Sequence, residues 1–234
     1  MVKVNREKFK VLEGVFDEQT LDTLNLLKQK KYFDVLLNPI KTGKEADVYL
    51  SSKDKEYRAI KLYRVTSSNF KKITSYINRD FRFKNIKGNL RKVIFFWVQK
   101  EYRNLMICHK ENMNVPFVYK QMGNIIIMEY IDGGMLKDVV LDNPSEFFEM
   151  LLEQMFILKK KAKLIHGDLS EFNILVKNQI PYIIDLGQAM TIKNVDDFNN
   201  LKDLYLRDVE NVVKYFNKRY KLNLILDEIL EKLE

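Results

Sequence analysis

I-H-G-D-L-S-E-F-N-I-L-V-K-N-Q-I-P-Y-I-I-D, residues Ile165 to Asp185, is the stretch from which the rest of the chain can be read. Two short apolar runs, Ile174 to Val176 and Tyr182 to Ile184, flank Lys177-Asn178-Gln179 and predict a small hairpin. At its mouth stand Asp168, Asn173 and Asp185, the first two five residues apart and the last two twelve apart. A carboxylate and an amide carbonyl are hard oxygen ligands, the kind a small divalent cation such as Mg²⁺ takes. A second carboxylate nearby can orient an attacking group and accept its proton. The plain alternative is an Asn/Asp-rich turn that only satisfies backbone donors. The rest of the chain decides between them.

The chain has 234 residues, enough for one large domain or two small lobes. A hydrophobic fraction of 46%, with 15 Phe and 12 Tyr, predicts a packed core and excludes a disordered chain. A single Cys excludes an internal disulfide and suits a reducing cytoplasm. His109 and His166 are too few for a histidine-based zinc site. Val93 to Val98 is too short to span a bilayer, and the basic N-terminus has no apolar signal core. A cytoplasmic protein with no membrane partner is the expectation. Net charge is +8, unevenly spread: between Phe70 and Lys92 eight basic residues meet one acid, Asp80. Tyr76, Phe81 and Phe83 are interleaved with them. Such a block suits an RNA-contacting surface; a solvated lysine-rich surface is the plain reading.

Taken in order, the chain opens with a polar, basic stretch. Asp17 then reads as a helix N-cap, with Leu21, Leu24 and Leu27 on one stripe to about Lys30. From Val35 the pattern becomes strand, tight loop, strand, turn, strand. Thr42, Gly43 and Lys44 sit in the tight loop, where backbone could approach phosphate closely. One glycine makes neither a Walker loop nor a three-glycine loop. Lys61 lies in the apolar strand A-I-K-L-Y, where a lysine is costly unless paired, used, or on an edge. Leu90 to Glu111 predicts one long helix with Val93, Trp97, Leu105 and Cys108 along a stripe. Glu101 falls on that stripe, and a carboxylate there asks for a cation; Lys61 is the candidate, 40 residues away, with a basic insertion between. A second hairpin turns at Met122-Gly123-Asn124 and runs through I-I-I-M-E-Y-I to Gly133-Gly134. Asn143-Pro144 is a helix start whose apolar face holds Phe148, Leu151, Leu152, Met155 and Leu158. Two more helices are predicted, about Val195 to Asn217 and Leu224 to Leu233.

Together these parts resemble the RIO kinases, atypical members of the protein-kinase superfamily. The marks are K-T-G-K-E-A-D-V-Y-L in place of a glycine loop, A-I-K-L-Y, Q-K-E-Y-R-N-L, I-M-E-Y-I, H-G-D-L-S-E-F-N-I-L and I-I-D-L-G-Q-A, between about Gly14 and Phe216. The Asp168, Asn173, Asp185 spacing is that of the kinase catalytic loop followed by its metal-binding aspartate. The closer likeness is to the subfamily without an N-terminal winged helix. The resemblance implies an α+β, two-lobed kinase-like fold: an N-terminal extension over 1–34, an N-lobe over 35–131 with the basic insertion near 64–89, and a truncated, mainly helical C-lobe over 132–234. It implies Asp168 as catalytic base, and Asn173 and Asp185 as holders of Mg²⁺ or Mn²⁺. Lys61 would contact the ATP phosphates, positioned by Glu101, beside the loop of Thr42, Gly43 and Lys44. The backbone of Glu129 and Ile131 would meet adenine, and Asp185 could also accept phosphate in an ATPase-like cycle. Autophosphorylation, and a part in small ribosomal subunit maturation with contact to its RNA through residues 70–92, are implied as well.

The chain departs from ordinary protein kinases in places. Ser170 stands where they usually carry a lysine, Leu186 replaces the phenylalanine of D-F-G, and no A-P-E follows. Lys41 stands where the family more often has serine. The short stretch after Asp185 leaves no room for an activation loop and peptide-docking helices. Two alternatives differ in class. An aminoglycoside- or choline-type small-molecule kinase usually has His at the place of Ser170 and a larger C-terminal lobe. A nucleotide-gated RNA-binding assembly factor would not need Lys61, Asp168, Asn173 and Asp185 together.

Overall fold

The computed structural model describes residues 16–65 and 89–233, which divide into two compact units. The first holds the described residues up to Tyr102 together with Phe117–Tyr130; the second holds Arg103–Pro116 and the chain from Ile131.

In the first unit Asp17 starts helix α1 (Glu18–Gln29), its carboxylate accepting from the Thr20 N–H at 3.0 Å. Strands β1 (Val35–Thr42), β2 (Ala46–Lys53) and β3 (Glu56–Tyr63) form an antiparallel meander. Strands β4 (Val118–Met122) and β5 (Ile125–Glu129) complete a five-stranded sheet in the order β1-β2-β3-β5-β4. Pro39 sits within β1, and the β1–β2 register shifts on either side of it. A proline is tolerated there because β1 is an edge strand, where its missing N–H costs no ladder bond. Leu24 and Leu27 of α1 pack with Phe33, Tyr49, Ile60, Leu62, Ile125 and Ile127 into one core. Each fully buried large apolar side chain of this kind contributes about 1.5–3 kcal/mol.

Helix α2 (Leu90–Lys110) follows, and Val93, Trp97, Leu105 and Cys108 are buried along its stripe as predicted. Residues 66–88, which make up most of the basic insertion expected near 64–89 and of segment 70–92, lie outside the described residues. Of that segment Arg91 is within α2 and pairs with Asp17 at 3.0 Å.

The second unit is mainly helical. Asn143 caps helix α3 (Pro144–Lys160), whose buried residues are those predicted plus Phe147, Gln154 and Ile157. The short strands β6 (Gly134–Met135), β8 (Ile174–Lys177) and β9 (Ile180–Ile183) form a three-stranded sheet in the order β6-β8-β9. A two-stranded pairing joins β7 (Leu164–Ile165) to β10 (Met190–Thr191). The predicted hairpin is β8–β9, and its turn is Asn178-Gln179, with φ of 52° and 62°. Two left-handed residues in succession make the turn twist that suits a two-residue hairpin. Asn194 caps helix α4 (Val195–Tyr220), and α5 (Leu226–Lys232) follows. Phe216 of α4 packs against Phe147 and Phe148 of α3 with ring centroids 6.2 and 5.2 Å away. A sheet-built unit and a helical one agree with the expected α+β, two-lobed kinase-like architecture.

Candidate active site

Lys61 faces Val48 on one neighbour and Ile126 on the other, so its strand lies inside the sheet. The edge-strand reading of this lysine is therefore excluded. Its ammonium contacts both oxygens of Glu101, at 2.8 and 3.1 Å, and lies 5.0 Å from the Tyr63 ring centre. The two side chains are 12% and 1% exposed. A charge in so dry a position persists only with such a partner. Glu101 is thus placed by the apolar stripe of α2, and Lys61 by the alternation of β3.

The loop between β1 and β2 carries Thr42, Gly43 and Lys44, with Thr42 and Lys44 exposed. A Cβ on Gly43 would lie 2.9 Å from the Ala46 carbonyl, so only glycine fits that turn. The Gly43 N–H donates to Asp47 Oδ1 at 3.1 Å. At the end of β5 the Glu129 N–H donates to the Phe117 carbonyl at 2.7 Å. Ile131 is buried, and its carbonyl accepts from the Gly133 N–H at 2.9 Å.

In the second unit the loop between β7 and β8 holds Asp168, which is exposed, and Asn173, which is buried. The Asn173 amide nitrogen donates to the Asp168 carbonyl at 2.8 Å, and its own carbonyl accepts from the Ile184 N–H at 3.0 Å. These bonds hold Asn173 between Asp168 and the residue before Asp185. A backbone carbonyl can only accept, so the side-chain oxygen of Asn173 must face away from it. Asp185 is exposed at the end of the hairpin with φ of 64°, a left-handed backbone uncommon for a residue with a side chain. As ligands, Asn173 and Asp185 would offer an amide oxygen and a carboxylate. That fits Mg²⁺, which takes one or two protein oxygens and fills the rest of its shell with phosphate and water. Among the described residues no group of three or more His, Cys, Asp or Glu could hold a metal ion.

Several supporting residues were not anticipated from the sequence. Asp208 of α4, 3% exposed, accepts from the Gly167 N–H at 2.7 Å and the Leu169 N–H at 2.9 Å, one on each side of Asp168. Burial pushes its carboxyl up, opposed by His166 and by those two donors. Asn211 donates to the Leu169 carbonyl at 3.2 Å and Arg207 to that of Gly167. His166 lies against the Ile184 carbonyl at 3.0 Å through Nε2, which fixes the proton on that nitrogen. Gln188 donates to the Asp168 carboxylate at 3.3 Å, and Asn104 of α2 to the Leu186 carbonyl at 2.8 Å. One signal could have found Asp208: it shares the inward face of α4 with Tyr205, Val209 and Val212, and a carboxylate on such a face needs partners.

The model of the RIO domain family matches residues 47–229. This chain belongs to the RIO kinase family. It is 35% identical over 218 residues to the RIO-type serine/threonine-protein kinase Rio1 of Methanocaldococcus jannaschii, covering 91% of this chain and 73% of that protein. The serine/threonine-protein kinase RIO1 of Homo sapiens is 30% identical over 230 residues, covering 94% of this chain and 40% of the human protein. Identity at that level over most of its length makes the chain a kinase, a phosphotransferase. Its fold is also that of the Rio2 kinase from Chaetomium thermophilum, crystallised as an ADP/Mg²⁺-phosphoaspartate complex: the TM-score is 0.69 at 21% identity, over 89% of this chain and 64% of that one.

Proposed function

We propose that this RIO kinase uses ATP with Mg²⁺ to phosphorylate serine or threonine, its own included, with an ATPase cycle through Asp185 as the second route. The observation that supports the reading is the pair of Lys61 with Glu101, an ammonium inside the sheet held 2.8 Å from a buried helix carboxylate, the arrangement in which protein kinases hold the lysine that meets the α- and β-phosphates. Lys61 contacts the α- and β-phosphates, and the Thr42-Gly43-Lys44 loop covers them. The N–H of Glu129 is already used, so its carbonyl would accept from the adenine amino group. The carbonyl of Ile131 is used in a turn, so its N–H would donate to the base. Asn173 and Asp185 hold the Mg²⁺, which supplies neutralisation of phosphate charge when bound.

Asp168 orients the attacking hydroxyl and accepts its proton as that oxygen bonds to the γ-phosphorus. The bond from phosphorus to the bridging oxygen breaks, and ADP leaves with the electron pair. On the second route a carboxylate oxygen of Asp185 attacks instead, no proton needs removing, and water later cleaves the acyl phosphate. What supports that route is the exposed, left-handed Asp185. The phosphoaspartate belongs to the Rio2 structure and is carried here as a proposal. The cellular role proposed is maturation of the small ribosomal subunit, with residues 70–92 contacting its RNA; the basic charge of that segment supports it.

The test is incubation with γ-labelled ATP and Mg²⁺. Acid-stable label on the protein marks serine or threonine, and hydroxylamine-labile label marks aspartate. Asp168→Ala and Asp185→Ala are each expected to abolish turnover, with nucleotide binding spared in Asp168→Ala. Unchanged phosphate release in either variant counts against the assignment.

A further inference from the structure

We infer that Asp47 and Arg64 are positioning residues for the phosphate-covering loop: together they fix the loop's backbone, and their mutual neutralisation lets a carboxylate stand beside a site for anions. The inference rests on the nucleotide reading above. Asp47 is the second residue of β2 and is 1% exposed. Its carboxylate has two partners, Gly43 and Arg64. Oδ1 accepts from the Gly43 N–H at 3.1 Å. The Arg64 guanidinium grips both oxygens, Nη2 at 3.0 Å from Oδ1 and 2.8 Å from Oδ2, and Nε at 3.1 Å from Oδ2. The Arg64 N–H donates in turn to the Glu45 carbonyl at 2.9 Å. The loop is therefore tied at Gly43 to the Asp47 side chain and at Glu45 to the Arg64 backbone.

The strand end that bears Arg64 is itself held. The Tyr63 N–H donates to the Asn124 carbonyl at 2.9 Å, and the Asn124 side chain donates to the Tyr63 carbonyl at 2.6 Å and to Thr20 at 2.9 Å. Here a buried carboxylate holds the loop's shape from below. That device brings a problem, since a bare carboxylate next to phosphates would repel them. Arg64 removes the charge, and a planar guanidinium does so in a way that a lysine cannot match.

This charge logic separates positioning from plain packing. Arg64→Gln leaves Asp47 uncompensated under the loop. Affinity for ADP with Mg²⁺, measured by titration calorimetry, is expected to fall about tenfold, as for loss of one partner of a close charge pair, while adenosine affinity stays within about twofold. Adding Asp47→Asn keeps an oxygen for the Gly43 N–H and removes the stranded charge, so the double variant is expected to bind ADP more tightly than Arg64→Gln alone. If Arg64→Gln does not fold, Asp47→Asn alone carries the test: the Gly43 N–H keeps an acceptor and Arg64 is left with an unopposed charge, so ADP is expected to bind more tightly while adenosine is unchanged, and weaker ADP binding would overturn the inference. ADP and adenosine weakening in parallel, unchanged ADP affinity in Arg64→Gln, or a double variant no better than the single one would each overturn the inference. If the unaltered protein binds adenosine and ADP equally, or neither, the nucleotide reading falls first and this inference with it.

Discussion

The contact of Lys61 with Glu101 couples stability to function in a way that two substitutions can pull apart. Removing one member of a buried pair leaves the other charged in a dry site, at a cost of about 3–5 kcal/mol. Glu101→Gln is therefore expected to lower the denaturant midpoint and to abolish turnover. The Lys61→Met, Glu101→Leu double variant should regain most of the stability, because buried apolar pairs of similar volume replace ion pairs without penalty. It should remain inactive, since no ammonium is left for the phosphates. Cys108 offers a second test at this scale. Burial pushes its thiol from the ordinary 9.0 up to about 12, and the charge of Glu111 adds to the effect. A folded value above the unfolded one means that the thiol's contribution to stability is whole below pH 9.0 and is lost as pH climbs toward about 12. Urea unfolding across that window is expected to show a shallower fall for Cys108→Ala than for the unaltered chain. Disulfide reagents at neutral pH should reach Cys108 only through opening of the structure.

Helix α4 shows what an element can do for a loop it merely supports. Its Asp208 accepts the two N–H groups that bracket Asp168. Asp208→Ala strands both donors in a buried place, at about 1–3 kcal/mol each. The expected result is a kcat reduced by about tenfold or more with the KM for ATP little changed, because the loop holding Asp168 loosens while the β1–β2 loop is untouched. Asp208→Asn, which keeps one acceptor oxygen, should fall between the two. Legibility in the sequence follows the range of the signal. Helix starts at Asp17, Asn143 and Asn194 are local, since each cap bonds an N–H three residues on, and the first two were readable as such. The hairpin at Asn178-Gln179 was readable too, for its turn chemistry lies within four residues. The passage of β1 through Pro39 was not, because whether a proline breaks a strand depends on which neighbours that strand has. Lys61 and Glu101 were paired across 40 residues only because each was anomalous on its own face. Asp208 was equally anomalous on α4, but its partners are backbone groups about 40 residues away, and backbone carries no residue-type signal. Asp47 and Arg64 escaped for the opposite reason: a charged residue next to a loop is the ordinary case, and nothing in their identity marks one as buried.

At the scale of the whole molecule the decisive quantity is charge. Net charge is +8, and residues 70–92 carry an excess of seven positive charges from eight basic residues and one acid. Most of the chain's imbalance is therefore concentrated in a tenth of its length. If that segment meets RNA phosphate, association releases counterions, and the logarithm of affinity falls linearly with that of salt concentration, by about 0.7 per phosphate contact for a single strand. Lys71, Lys72, Lys84 and Lys87 can be changed to Gln without touching Arg91, whose pair with Asp17 at 3.0 Å belongs to the fold. The expected outcome is a weaker complex with small-subunit RNA and a salt slope shallower by about 0.7 for each lysine that had faced a phosphate. Turnover of ATP without RNA should be unaltered, because none of the four is among the proposed active-site residues. An unchanged slope would return the segment to a solvated lysine-rich surface. A changed slope with lost turnover would mean instead that the lysines serve the nucleotide, whose own phosphates also release counterions. Measuring both in the same variant distinguishes a surface for the partner from a surface for the substrate.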